Sequence, residues 1–185
     1  TDENRATTVE RFNDVFEPCG LRPQAWFPCY GLAEATLIVT GGPRGHRPTI
    51  IQVAKEDLAR HRAREVSPDS AHALSLVSSG IGMDDQEVLV VASDTREICP
   101  DGRVGEIWVR GPSVASGYHE QRQRSAEVFG GFLAGSEEGP FLRTGDLGFF
   151  HDGQLYVTGR AKDLLIIRGR NYYPDDIETS VANAY

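Results

Sequence analysis

Lysine is nearly absent from this sequence. Lys55 and Lys162 stand alone among 19 basic side chains, against 27 acidic ones, and the formal charge over 185 residues is −8. That balance excludes a nucleic-acid surface built on basic runs, and no basic run with interleaved aromatics is present. Cysteine is scarce as well. Cys19, Cys29 and Cys99 are odd in number and far apart, which fits neither a disulfide framework nor a zinc site and suggests a reduced compartment. No apolar run approaches the roughly 18 residues of a membrane span. The polar N-terminus carries no signal-peptide core, so a cytoplasmic location is expected. A glycine-rich Ser/Thr loop with a lysine is also missing, so no stretch is built to cradle a triphosphate.

What is plentiful is glycine and arginine, concentrated at 141–174. Asp146, Asp163, Arg143, Arg160, Arg168 and Arg170 alternate there with Gly145, Gly148, Gly153, Gly159 and Gly169, around strand-like runs at 154–157 and 164–167. Polar groups at the ends of short strands beside glycines are well placed to hold a polar ligand. A β-meander with glycine turns and solvated arginines would account for the same residues.

Four motifs run in order along the chain. Tyr-Gly-Leu-Ala-Glu occupies 30–34. Gly-Glu-Ile-Trp-Val at 105–109 continues through Gly111-Pro112 to Gly117-Tyr118. Arg-Thr-Gly-Asp-Leu at 143–147 precedes Gly-Arg-Ala-Lys-Asp at 159–163. In this order they resemble the adenylate-forming superfamily of acyl-CoA synthetases, luciferases and peptide-synthetase adenylation domains. Tyr-Gly-Leu-Ala-Glu-Ala-Thr-Leu at 30–37 and Arg-Gly-Arg-Asn-Tyr-Tyr-Pro-Asp-Asp-Ile-Glu at 168–178 are similar to its fatty-acyl-AMP ligase branch. Ala33 departs from the superfamily's usual threonine, and that branch shares the alanine.

The resemblance covers about 20–185 and implies a fragment, because the family's catalytic lysine near the extreme C-terminus has no counterpart. It implies an α/β (α+β mixed) fold. Residues 1–160 would form the C-terminal part of the large adenylation domain, a β-rich, distorted-barrel subdomain with flanking helices and a branch-specific insertion at 43–73. Residues 161–185 would form the hinge, at Lys162, and the first elements of the small C-terminal domain. It further implies that Tyr30 and Gly31 lie along the adenine of ATP or AMP and that Glu34 holds magnesium. Asp146 would accept both ribose hydroxyls and Arg160 would reach ribose or phosphate, Glu34 and Arg160 being the catalytic pair. These roles suit the chemistry of a flat ring, a hard cation's carboxylate, a double acceptor and a planar fork of donors.

The function so implied is ATP-dependent activation of a fatty acid to acyl-adenylate, for transfer to an acyl carrier protein or polyketide synthase. The alternatives are an acyl-CoA synthetase and a non-catalytic nucleotide- or partner-binding piece. The isolated chain is expected to be inactive.

Local patterns predict the elements. A core helix is expected over 7–18, capped by Thr7 or Thr8, with Val9, Phe12, Val15 and Phe16 on one face. Strands are expected at 26–30, 48–53, 74–79, 87–91, 104–109, 154–157 and 164–168, with Leu32–Ile38 turning as helix. A charged helix is expected at 55–66 and another at 122–129, the latter docking through Ala126 and Phe129. Glu106 and Trp108 alternate with Ile107 and Val109, so one face of that strand should be buried. Pro174 and the acids after it open a last helix. Over 44–69, Arg44, Arg47, Lys55, Arg60, Arg62 and Arg64 outnumber Glu56, Asp57, Glu65 and Asp69. Ile50, Ile51, Val53 and Leu58 are the expected apolar anchor of that segment, with its arginines outward.

Overall fold

The computed structural model describes residues 6–83, 85–167 and 170–172. Helix α1 (Ala6–Phe16) opens the chain and is closed by a 3₁₀ turn at Glu17–Cys19 and the left-handed Gly20. A turn at Pro23–Ala25 leads to β1 (Cys29–Tyr30), and another at Ala33–Ala35 returns the chain to β2 (Thr40–Gly41). Then come β3 (Ile50–Ala54), a single helical turn α2 (Lys55–Leu58), β4 (Ala73–Val77), β5 (Ile81–Gly82), β6 (Glu87–Val91) and β7 (Gly105–Arg110). Helix α3 (Arg122–Phe129) precedes the long hairpin of β8 (Leu142–His151) and β9 (Gln154–Arg160). After a turn at Ala161–Asp163, β10 (Leu165–Ile167) and β11 (Arg170–Tyr172) pair antiparallel. The expected helix after Pro174 lies outside the described residues.

An antiparallel sheet in the order β6-β7-β8-β9 is the centre of this mixed α/β fold. Its apolar residues point both ways. Ile107, Val109, Leu142 and Leu155 pack on one face with Tyr30, Ala35 and Val39. Leu147, Phe149 and Tyr156 pack on the other with Ile51, Val53 and Leu58. Phe149 and Tyr156, direct cross-strand partners, stack with ring centroids 5.2 Å apart. The small sheet β1-β2-β5 is tied to the large one where the Ser79 N–H donates to Leu155 O and the Leu155 N–H donates to Gly80 O, both at 2.8 Å.

The β3/β4 hairpin covers the second face in unbroken register from Ile50↔Val77 to Ala54↔Ala73. Ile51, Val53 and Leu58 are buried as the pattern implied, and Arg60, Arg62 and Arg64 are exposed. The helix expected at 55–66 stops after Leu58. His61 takes a positive φ of 60°, and 62–66 leaves the helix to form backbone bonds with neighbouring strands. Tertiary pairing thus overrides a favourable local helix pattern.

Three other expectations need correction. Beyond Ala6 and Val9, α1 is not a core helix: Phe12, Val15 and Phe16 are 42, 58 and 42% exposed, and Thr7 and Thr8 lie inside it rather than capping it. Phe12 packs instead on Phe16 and Trp26. The strand expected from residue 26 shrinks to Cys29–Tyr30, because the chain ahead of it is turned by Pro23. Helix α3 docks through Val128 and Phe129 while Ala126 is exposed.

Candidate functional site

The site begins with an irregularity in β8. Between β7 partners Glu106 and Trp108 lies one residue, but between their β8 partners Leu147 and Arg143 lie three. Thr144, Gly145 and Asp146 are therefore lifted off the β7 ladder as a bulge, which re-aims side chains. Gly145 takes the left-handed φ of 72° that such a turn requires and that glycine adopts without strain. Thr144 Oγ1 donates to Ile107 O at 2.7 Å and accepts from the Asp146 N–H at 3.0 Å, fixing the bulge from within.

Asp146 is the direct cross-strand partner of Arg160 on β9. Its carboxylate receives two donors, Tyr30 Oη at 2.8 Å and Arg160 Nε at 3.0 Å, one on each oxygen. The residue is 2% exposed. Each carboxylate oxygen has two acceptor sites, so one remains on each. Burial, and then the Asp146 charge, push the Tyr30 phenol far above its ordinary value, and it remains a donor.

Glu106 forms a second buried carboxylate beneath the bulge. It accepts from Arg143 Nη2 and Trp108 Nε1, both at 2.9 Å on Oε2, and from the Gly145 N–H at 3.2 Å on Oε1. The Arg143 guanidinium also lies over the Trp108 ring at 5.6 Å. Both faces of β7 are consequently buried, not one as the alternation suggested. Glu106 tolerates burial because charged and neutral donors surround it.

Glu34 comes to the same place from the 3₁₀ turn at Ala33–Ala35. Gly31 makes that turn feasible, since a Cβ on it would fall 1.4 Å from Leu37 O. The turn is riveted to the loop after β7: Thr36 Oγ1 donates to Ser113 O at 2.7 Å, Ser113 Oγ to Ala35 O at 2.9 Å, and the Ala115 N–H to Glu34 O at 2.8 Å. Glu34 Oε1 accepts from Tyr118 Oη at 2.6 Å. That bond, ahead of burial, raises the Tyr118 phenol above its ordinary value.

These groups line a cavity of about 440 Å³. Glu34, Asp146, Arg160 and Lys162 share its wall, so four of the six residues singled out in the sequence meet at one opening. Tyr30 reaches it only through its hydroxyl on Asp146; its ring is in the core at 5% exposure. Gly31 shapes the turn behind Glu34. Sequence reasoning missed Glu106 and Tyr118, which line the cavity too. Their signal was present, as both stand in the 105–118 motif, but spacing alone reads them as strand and loop. Chemically, the wall offers a double acceptor suited to a vicinal diol, cations suited to phosphate, and a carboxylate suited to a hard metal ion. Among the described residues no group of three or more metal-ligating side chains forms.

A family model described as AMP-binding enzyme matches residues 3–119. A medium-chain-fatty-acid–[acyl-carrier-protein] ligase of Moorena producens is 45% identical over 183 residues, which cover 98% of this chain and 31% of that protein. A long-chain-fatty-acid–AMP ligase of Mycolicibacterium smegmatis is 43% identical over 190 residues, 97% of this chain and 30% of the relative. The crystal structure of a fatty acyl-adenylate ligase from Legionella pneumophila, in complex with acyl adenylate and pyrophosphate, matches with a TM-score of 0.83 at 45% identity, covering 98% of this chain and 31% of that one. The chain thus spans about a third of the length of the relatives it matches.

Proposed function

The chain belongs to the AMP-binding enzyme family, and from that premise we propose that it is a segment of a fatty-acyl-AMP ligase. In the parent protein a fatty-acid carboxylate oxygen attacks the α-phosphorus of ATP, pyrophosphate leaves, and acyl-adenylate forms. The acyl group then passes to the phosphopantetheine thiol of an acyl carrier protein or polyketide synthase.

The observation that carries this reading is Asp146. It is buried, oriented by Tyr30 and Arg160, and opens onto the cavity with one free acceptor site on each oxygen. That is the donor-acceptor count a ribose needs. Arg160 bonds Asp146 through Nε, which leaves the rest of its guanidinium fork for ribose or phosphate oxygen. Tyr30 acts from behind Asp146, which it orients through its hydroxyl, and Gly31 permits the turn that presents Glu34. The donor set fits magnesium beside a phosphate: Glu34 is one oriented carboxylate, and Mg²⁺ takes one or two carboxylates with phosphate and water completing its shell. Bound there, the ion neutralises developing phosphate charge.

Residues 1–160 are then the C-terminal part of the large domain and 161–185 the hinge, at Lys162, and the start of the small one. The segment 43–73 is the branch insertion, anchored through Ile51, Val53 and Leu58 and disfavouring the rotation that thioester formation needs.

Two experiments on the full-length parent test this. Asp146→Ala lowers ATP–pyrophosphate exchange about tenfold to hundredfold, about 1–3 kcal/mol for a lost buried acceptor. Unchanged exchange in a folded variant removes Asp146 from the nucleotide site. With ATP, a long-chain fatty acid and CoA supplied together, acyl-AMP accumulates with little acyl-CoA. Abundant acyl-CoA makes the parent an acyl-CoA synthetase instead.

A further inference from the structure

Tyr118 has no part in the function just proposed, yet its hydroxyl sits 2.6 Å from Glu34 Oε1. One reading of that bond is docking, with Tyr118 fastening the 113–118 loop to the 33–36 turn. The structure makes that unnecessary. The same two segments are already joined by Thr36 Oγ1 to Ser113 O, Ser113 Oγ to Ala35 O, and the Ala115 N–H to Glu34 O. The phenol is a fourth bond across a joint that three others already make.

What the phenol does have is a fixed direction. The Tyr118 N–H donates to Ser125 Oγ at 2.8 Å, the ring meets Phe129 edge-on at 5.3 Å, and the Arg124 guanidinium lies over it at 4.6 Å. All three neighbours belong to α3, so the ring is held by one rigid element. A cation over the ring also polarises the phenol towards a stronger donor. Tyr118 engages Oε1, and among the described residues no side chain donates to Oε2. Glu34, Tyr118 and Arg124 all line the cavity.

We propose that Tyr118 is a positioning residue for Glu34: by holding Oε1 it turns Oε2 towards the divalent cation that accompanies the nucleotide phosphates. This rests on the reading of Glu34 as a metal ligand. Groups that orient a metal's ligands tune its affinity, by about tenfold or more.

The test is Tyr118→Phe in the full-length parent, which keeps the ring, its Phe129 contact and the Arg124 stack. Mn²⁺ binding in the presence of ATP is followed by electron paramagnetic resonance, without turnover. The Mn²⁺ dissociation constant is expected to rise about tenfold, the scale of a lost orienting bond beside a metal ligand. The Mg²⁺ concentration for half-maximal ATP–pyrophosphate exchange rises in parallel, while the thermal midpoint changes little. Unchanged Mn²⁺ affinity and Mg²⁺ dependence overturn the proposal, whatever happens to the rate. Glu34→Gln separates the two levels. If it weakens Mn²⁺ binding and Tyr118→Phe does not, the positioning role falls and the metal reading stands. If Glu34→Gln leaves Mn²⁺ binding intact, the metal reading falls and takes this proposal with it.

Discussion

Two regions of the molecule set charged side chains against the same sheet and treat them in opposite ways. Where β7, β8 and β9 meet, Glu106 and Asp146 are 6 and 2% exposed, and every donor around them is aimed. Along 59–66 the arginines stand in solvent and the backbone does the holding. The Ala54 N–H donates to Arg64 O, the Ala63 N–H to Gly102 O, the Val104 N–H to His61 O and the Val66 N–H to Gln52 O. Beneath them Leu58 is the apolar pin, 2% exposed. A buried charge must be specified atom by atom, because an unmatched partner is costly. A segment docked by peptide groups and one leucine keeps its charges at the surface, where a pair such as Arg64–Asp57 adds little. Side-chain identity should therefore dominate in the first region and shape in the second.

The largest effect expected is at Glu106. Glu106→Ala leaves Trp108 Nε1 and the Gly145 N–H without their acceptor while the half-exposed Arg143 turns to solvent, and should cost about 3–5 kcal/mol in chemical unfolding of the parent, at about 1–3 kcal/mol for each donor left unpaired. A loss close to that of a surface substitution would mean that the first region is held by its backbone after all. Leu58→Ala should come next, at about 2–4 kcal/mol, through an unfilled cavity against Val104 and Tyr156. A loss under 1 kcal/mol would show the 59–66 segment to be docked by its peptide groups alone.

The smallest effect is a pH response confined to the second region. Burial, and then the charge of Arg103, hold His61 below its ordinary pKa of 6.5. The fold favours the neutral ring. As pH falls below about 6.5 the unfolded chain takes a proton that the folded one refuses, so the stability present above that pH is lost progressively towards the lower folded pKa. Amide exchange at Ala63 and Val104, corrected for intrinsic rates, should accelerate between neutral pH and about pH 5, and His61→Gln should flatten the response. Equal acceleration in the β8/β9 hairpin would erase the contrast between the regions.

Much of this was legible in the residues. A β-type run between turn signals and a stretch of helical character placed β6 and the helix at 122–129 on their observed boundaries. The motifs brought Glu34, Asp146, Arg160 and Lys162 to one cavity. What stayed hidden depends on neighbours far along the chain. The stretch 55–66 has a helical pattern, yet Gly102 and Gln52 offer its backbone better partners. Glu106 alternates as an outward residue should, and only a second covering layer with three donors makes it an inward one. Tyr118 gained its direction from α3, which nothing in the spacing of the 105–118 motif foretells.

The bulge at 144–146 carries a consequence for how this strand can change length. From Glu106 to Val109, β7 takes three steps, while β8 takes five from Leu147 to Leu142. The surplus is two, an even number, so Leu142 and Leu147 still turn to the faces they would occupy in a regular ladder. Loss or gain of one residue here would reverse the parity of everything on one side, exchanging core and cavity positions along half the strand. Loss of two would restore a regular β7/β8 ladder with its core positions kept and the Asp146 loop gone. In the β7/β8 pairing a change of two residues keeps the parity, and a related chain that keeps the fold while abandoning the site has a simple route: a two-residue deletion.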